Sequence, residues 1–397
     1  MSNTYMIRFA IFILSAVVPS TLIIANPLNP TSPTQITTSA DLISQPAVCN
    51  PYGTSEYLVA WLNSDQIMTS LSFNNGSSWS SSGSIPISYP LNTVHLASGP
   101  MGTVAAWQTT ALPGYGNYPT TSFSSNNGTS WTTPTVLPLE TPANKFYGYF
   151  DILVVANEQG FLATYTGIYF TLANVPNAYA SFSADGNTWS SPVQINPVNN
   201  IAEISTTIAV SGTTFLAAWV DNSGQAQTSI STDEGSTWSV TPVPISNATN
   251  VVSEVSLYAT NAGFMAVWAI GSGDIYSSFS SNNGSTWTTN TTPFGNNIYG
   301  NIGLSGSTDG FIASWETNDN NIEAAFSSNQ GSTWSTPIVI SSNVQLISSE
   351  DAPGVAVTGN NCLFTWTDLD SNAYSSFSVL PPTITPRAFQ RPSNRRP

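Results

Sequence analysis

Short apolar runs alternate with polar turn sequences along most of this chain. Seven runs of five mostly apolar residues end on an aromatic residue: Tyr57–Trp61, Thr103–Trp107, Phe161–Tyr165, Phe215–Trp219, Phe264–Trp268, Phe311–Trp315 and Cys362–Trp366. Continuous apolar runs of this length, bounded by Gly, Asn and Asp, predict strands that are buried on both faces. Helical periodicity is absent, so the pattern predicts an all-β protein.

A polar phrase that ends on tryptophan separates these runs. Its six copies are Ser72–Trp79, Ser124–Trp131, Ser183–Trp189, Ser231–Trp238, Ser280–Trp287 and Ser327–Trp334. The copies recur about every 50 residues, which indicates one repeated supersecondary unit rather than several unrelated domains. The Asn or Asp and the Gly in each phrase are typical of a hairpin turn.

Residues 203–247 contain one complete unit. We predict strands at Ile204–Ser211, Thr214–Val220, Gln225–Thr232 and Trp238–Ile245, with the polar phrase between the third and the fourth. Four antiparallel strands repeated in this way form the blades of a β-propeller. Seven apolar runs predict seven blades within residues 26–380, at about 45–89, 90–140, 141–198, 199–247, 248–295, 296–343 and 344–380.

Blade seven lacks a fourth strand of its own, because Pro381 and Pro382 directly follow its third strand. Pro33–Ser39, near the N-terminus, resembles the predicted fourth strands at Pro192–Asn196 and Pro337–Ser341. We therefore expect a strand within residues 31–43 to complete blade seven and close the ring, which removes exposed sheet edges.

Both ends of the chain differ from the repeats. Arg8, the apolar stretch Phe9–Val18 and the small residue Ala25 predict a signal peptide over residues 1–25, with an uncleaved membrane anchor as the alternative. Residues 381–397 contain four arginines and five prolines, a composition that predicts a disordered tail. We expect a secreted or surface-exposed protein, whose oligomeric state the sequence leaves open.

The charge balance limits the partners. Charged residues make up only 7% of the chain, and its formal net charge is −15. Lys145 is the only lysine or arginine between Phe9 and Pro386. Nucleic acid binding requires basic side chains that neutralise phosphates, so this class of function is excluded.

The two cysteines are predicted near the closure of the ring. Cys49 lies late in the first strand of blade one, and Cys362 begins the second strand of blade seven. A disulfide between neighbouring blades would suit a secreted protein, and two buried free thiols are the alternative.

The polar phrase resembles the Asp-box, or bacterial neuraminidase repeat, of sialidases and other secreted propellers. Thr232–Trp238 (TDEGSTW) is the best-matching copy; the copy at Asp185 is one residue shorter, and four copies have Asn in place of Asp, namely Asn74, Asn126, Asn282 and Asn329. The resemblance covers roughly residues 31–380 and implies a sialidase-like propeller whose boxes lie opposite the active-site face. Xyloglucanases and non-catalytic receptor propellers also contain this box, so it implies a fold rather than an activity.

Sialidases of this kind hold the substrate carboxylate with three arginines, because a guanidinium pairs bidentately with a carboxylate. This chain has no arginine between Phe9 and Pro386, and Arg8 lies in the predicted signal segment. We therefore predict that the protein is not a sialidase.

Several carboxylates are predicted at one end of the central channel. Glu203, Glu254 and Glu350 occupy comparable positions before first strands, with Asp351 and Asp151 nearby. Paired carboxylates could serve a glycoside hydrolase that acts on a neutral polysaccharide. Their oxygens also suit Ca²⁺, the one cofactor that the sequence leaves open. Solvated loop acids without a further role are the third interpretation.

Aromatic residues concentrate in the predicted long loops of blades two and three. With Asp151, they form the candidate ligand site: Tyr115, Tyr118, Phe146, Tyr147, Tyr149 and Tyr169. Clustered aromatic rings with a polar rim favour a binding module for a glycan or a cell-surface protein. The alternatives are the glycoside hydrolase and a structural envelope protein.

Overall fold

The computed structural model describes residues 28–37, 46–63, 66–81, 83–87, 90–110, 117–139, 146–169, 176–197, 206–246, 251–342, 344, 352–368 and 370–380. Every regular element in these ranges is a β-strand, and the strands form seven four-stranded antiparallel sheets. This arrangement confirms the predicted seven-bladed propeller. The predicted signal peptide and C-terminal tail lie outside the described ranges, which contain no helix that could span a membrane.

Within each blade the strands follow one another in chain order, except for β1 (Thr34–Thr37), which belongs to blade seven. Blade one contains β2 (Ala47–Cys49), β3 (Tyr57–Asn63), β4 (Gln66–Ser72) and β5 (Gly83–Pro86). Blade two contains β6 (Pro90–Gly99), β7 (Gly102–Thr110), β8 (Asn117–Ser124) and β9 (Thr135–Val136). Blade three contains β10 (Phe146–Ala156), β11 (Phe161–Tyr169), β12 (Pro176–Ser183) and β13 (Val193–Gln194).

The remaining blades repeat this order. Blade four contains β14 (Thr206–Ser211), β15 (Thr214–Val220), β16 (Ala226–Ser231) and β17 (Val243–Pro244). Blade five contains β18 (Val252–Thr260), β19 (Gly263–Ile270), β20 (Ile275–Ser280) and β21 (Thr288–Gly295). Blade six contains β22 (Ile298–Ser307), β23 (Gly310–Thr317), β24 (Asn321–Ser327) and β25 (Ile338–Ser342). Blade seven contains β26 (Gly354–Thr358), β27 (Asn361–Thr367) and β28 (Ala373–Val379), in addition to β1.

The first strand of each blade lies at the centre of the ring. Each first strand contacts the first strand of the next blade, and β26 contacts β2, so the circle is complete. The second strands are buried on both faces, as the apolar runs predicted. Their closing aromatic residues are at most 3% exposed, which makes them core residues: Trp61, Trp107, Tyr165, Trp219, Trp268, Trp315 and Trp366.

The N-terminal strand closes the ring, as predicted. β1 pairs with β28 in antiparallel register, with Thr34 opposite Ser375. The Thr31 N–H donates to the Phe377 carbonyl over 2.7 Å. Leu28 is buried in the core of blade seven, beside Leu380. Backbone pairing and apolar burial together fix this segment to the last blade.

The six polar phrases form turns of one design, between the third and fourth strands. In every copy the first Ser Oγ accepts a hydrogen bond of 2.8–2.9 Å from the buried Gly N–H. Each of these glycines has a φ of 75–83°, a region that favours glycine. The glycines also approach the neighbouring blade closely; a Cβ on Gly284 would overlap Leu216 of blade four.

The fourth strands of blades three and four are shorter than predicted. In blade four, β17 covers only two residues of the predicted strand Trp238–Ile245. Pro242 and Pro244 lack the N–H that a longer ladder requires, which accounts for the short strand.

Cys49 and Cys362 are free thiols in this structure, so the predicted disulfide is not formed here.

We predict that Gly284→Ala destabilises the ring by roughly 2–5 kcal/mol, because it adds overpacking against Leu216 to the cost of a left-handed alanine. Gly212→Ala is the matched control, since Gly212 has a φ of 57° but no atom within 4 Å of an added Cβ. This control should lose only about 1–2 kcal/mol. Urea unfolding measures both values; equal losses would contradict close packing between blades at Gly284.

Candidate functional site

A cavity of about 760 Å³ occupies the centre of the ring and is lined by the first strands of all seven blades. Its lining residues lie in the leading part of these strands, for example Thr206–Ile208 of β14 and Ser253–Leu257 of β18. This is the channel end at which the sequence placed its carboxylates. A cavity of this size is comparable with small-molecule sites in other proteins.

β-Bulges shape this end of the channel. Four first strands shift register near their start, between Leu91 and Val94, Phe150 and Leu153, Val252 and Glu254, and Tyr299 and Ile302. Bulges leave backbone groups unpaired and redirect side chains, and they are frequent beside active sites. Polar residues at or beside these bulges, with one from blade four, form what we call the polar wall: Thr93, His95, Asp151, Thr206, Glu254 and Asn301.

Thr93 and His95 form the blade-two part of the polar wall. The Thr93 Oγ1 and His95 Nε2 atoms are 3.1 Å apart and share a hydrogen bond. Burial lowers the pKa of His95 to about 4. The imidazole is therefore neutral at neutral pH, and it can accept or donate a hydrogen bond rather than carry a charge.

Glu254 forms the blade-five part of the polar wall, and its carboxyl bridges two blades. Its Oε1 atom accepts a 2.5 Å hydrogen bond from the Ile302 N–H, which belongs to the bulge of β22. Its Oε2 atom is buried and has no hydrogen-bond partner, although the residue as a whole is only half-buried. Burial raises the pKa of Glu254 to about 8, with the Ile302 hydrogen bond acting in the opposite direction. The carboxyl is therefore mostly protonated at neutral pH.

Asp151 and Asn301 are the blade-three and blade-six members of the polar wall, and both are half-buried. Asp151 has a φ of 49°, in the left-handed region that non-glycine residues seldom adopt. Such backbone recurs at functional sites as well as in turns like those of the polar phrases. The bulge of β10 thus holds an acidic side chain at the channel.

The other predicted site residues lie either outside the described ranges or in strands rather than loops. Glu203, Glu350, Asp351 and Tyr115 lie outside the described ranges. Tyr118 lies in β8, is half-buried and packs against the core of blades two and three. Several aromatic residues predicted on loops extend strands instead: Phe146, Tyr147 and Tyr149 lie in β10, and Tyr169 ends β11. The hairpins of blades two and three are therefore longer, and their loops shorter, than the sequence indicated.

The described ranges contain no group of three or more His, Cys, Asp or Glu side chains that could hold a metal ion. Three of the carboxylates considered for Ca²⁺ lie outside these ranges, so the Ca²⁺ site stays a prediction.

The sequence analysis did not identify Thr93 and Asn301 as site residues. Each directly precedes the residue paired with a core tryptophan, Val94 with Trp107 and Ile302 with Trp315. Counting back from those tryptophans would have found both residues.

The fold and the central cavity define the class of protein: a seven-bladed β-propeller with a polar channel. No protein-family model matches this chain, and no curated protein sequence matches it. Many solved structures do resemble it. A Trypanosoma rangeli sialidase matches with a TM-score of 0.52 and 11% identity, over 88% of this chain and 59% of the sialidase chain.

An α-L-arabinofuranosidase from Fusarium graminearum, in complex with an iminosugar inhibitor, shows a similar match. Its TM-score is 0.50 at 11% identity, over 88% of this chain and 98% of that chain. At this level of identity the likeness concerns the fold. Both matches agree with the propeller fold of this chain.

We predict that Glu254→Gln stabilises the protein increasingly between pH 4.5 and about pH 8. Below pH 4.5 the carboxyl is protonated in both the folded and the unfolded states. As the pH rises, the unfolded state ionises first and the folded wild type loses stability, approaching a limit near the folded pKa. The gain from the substitution should reach roughly 3–5 kcal/mol at pH 8. Urea unfolding at pH 4.5, 6 and 8 measures it; a pH-independent difference would contradict the buried carboxyl.

Proposed function

We propose that this protein binds a neutral glycan in its central channel, through hydrogen bonds from the polar wall. The observation that carries the proposal is the set of hydroxyl, amide, imidazole and carboxyl groups around one 760 Å³ cavity, all half-buried except the fully buried Thr206. Sugar hydroxyls both donate and accept hydrogen bonds, so they match such mixed groups. Solved propellers of similar fold include an arabinofuranosidase with an iminosugar inhibitor, which agrees with a glycan ligand.

The charge of the channel favours a neutral sugar over an acidic one. Among the residues that the structure describes, the cavity is lined by the acidic side chains Asp151 and Glu254 and by no lysine or arginine. An acidic sugar would lose water without gaining a cationic partner, which is costly. We therefore expect no sialidase activity, despite the Asp-box-like turns. In this proposal those turns stabilise the fold, as their repeated buried Ser–Gly hydrogen bonds support.

Binding is favoured over hydrolysis by the contacts of Glu254. A general acid must reach the glycosidic oxygen, but the Glu254 Oε1 is engaged by Ile302 and its Oε2 is buried. The proposed partner is a glycan, either free or attached to a cell-surface protein. The aromatic residues of blades two and three would extend the contact with its sugar rings.

A glycan array with residues 26–397 tests this proposal. We expect retention of neutral glycans, no preference for sialylated ones and no release of reducing ends. Thr93→Ala and Asn301→Ala should each weaken binding by roughly fivefold, the effect of one hydrogen bond. Asn261→Ala, in the exposed turn after β18, is the matched control and should bind normally. Equal binding by all three variants, or preferential binding of sialic acid, would refute the channel site.

We further propose export through the N-terminal segment, which the apolar stretch Phe9–Val18 supports. Secreted protein should begin close after Ala25, because a small residue precedes the cleavage point. Intact mass and N-terminal sequencing of protein from the culture medium measure this. Protein that retains residues 1–25 and sediments with membranes would instead indicate an uncleaved anchor.

A further inference from the structure

All three Asn–Gly pairs of this chain lie in the polar phrases, at Asn75–Gly76, Asn127–Gly128 and Asn283–Gly284. Asn–Gly is a chemically labile sequence. The glycine backbone nitrogen can attack the asparagine Cγ, because no glycine side chain hinders the approach. The new N–Cγ bond forms as the side-chain nitrogen leaves as ammonia, which takes up the proton lost from the glycine nitrogen. Water then opens the cyclic imide to aspartate or isoaspartate.

In each of these pairs the attacking glycine nitrogen is engaged in a hydrogen bond. The N–H groups of Gly76, Gly128 and Gly284 donate to buried serine hydroxyls over 2.8, 2.8 and 2.9 Å. The accepting side chains are at most 1% exposed: Ser72, Ser124 and Ser280. An amide proton held in a buried hydrogen bond is released only when the segment opens locally.

A second hydrogen bond fixes each serine hydroxyl. The Ser72 Oγ donates to the Asn74 Oδ1 over 3.1 Å, and the Ser124 Oγ donates to the Asn126 Oδ1 over 2.9 Å. The hydroxyl lone pairs therefore remain directed at the glycine N–H. The asparagines that precede the glycines have φ values of 55–56°.

We infer that Asn75, Asn127 and Asn283 are latent modification sites, which the serine–glycine hydrogen bond of each turn protects from cyclisation. Opening of a turn exposes its pair to cyclisation. The product would add a negative charge and, as isoaspartate, one extra backbone methylene. Both changes would fall in a turn whose glycine packs against the neighbouring blade: Gly76 on Leu363, Gly128 on Leu58 and Gly284 on Leu216.

The three sites make a controlled experiment possible within one molecule. Protein produced in a bacterial host, where Asn-Gly-Ser/Thr sequences remain unglycosylated, is incubated at pH 8 and 37 °C. Peptide mass spectrometry then measures the gain of about 1 Da at each asparagine over time. The Ser124→Ala variant should raise the rate at Asn127 by roughly fivefold, the effect of losing one hydrogen bond. Asn75 and Asn283 in the same variant should keep their wild-type rates.

Two controls test whether the turns protect their asparagines. The same peptides in 6 M guanidinium give the unprotected rate, which should exceed the native rate at all three sites. Gln330–Gly331, in an equivalent turn, should stay unmodified because its longer side chain cyclises slowly. Native rates equal to the unfolded rates would overturn the inference, as would an unchanged Asn127 rate in Ser124→Ala. Equal acceleration at all three asparagines would also overturn it, because general destabilisation would then explain the effect.

Discussion

Backbone hydrogen bonds between β1 and β28 join the two ends of the repeat and turn a row of seven blades into a ring. An open row would leave the outer faces of its first and last sheets uncovered and the edge of β28 unpaired. In the closed ring β1 pairs with the edge of β28, and β26 packs against β2. The central channel exists only because of this closure, since its wall is made from the first strand of every blade. The channel chemistry therefore depends on residues near the two ends of the chain.

Most of the fold could be predicted from the sequence because it rests on local patterns. The strand predicted at Thr214–Val220 has the same bounds in the structure, and the predicted strand Gln225–Thr232 loses one residue at each end. Apolar runs of five residues and turns with a Gly at positive φ leave few alternatives for the backbone. The fourth strand of blade four was predicted less well, since Pro242 and Pro244 interrupt a ladder whose apolar pattern continues. The fourth strand of blade six, predicted at Pro337–Ser341, is observed at Ile338–Ser342.

The channel site was only partly predictable, because bulges and contacts between blades shape it. The sequence placed Glu254 before the first strand of blade five, at the channel; the structure has it at the channel but inside β18. Its actual partner is the Ile302 N–H, a backbone group left unpaired by a bulge in a strand 48 residues away. No pattern within one repeat signals that contact. The aromatic candidates of blade three were misplaced for a similar reason, because β10 and β11 continue their pairing through residues that looked like loops.

The seam, by which we mean the pairing of β1 with β28, also determines how the ring responds to tension. The Asn29 N–H donates a hydrogen bond to the Ser378 Oγ, and the Thr31 N–H donates one to the Phe377 carbonyl. The chain therefore enters and leaves blade seven at the same end of the paired strands. Pulling the two termini apart would then peel β1 from β28 one hydrogen-bonded pair at a time, rather than shear all pairs together. The ring would be opened by a small force at this seam, while each blade away from it would keep its own hairpins intact.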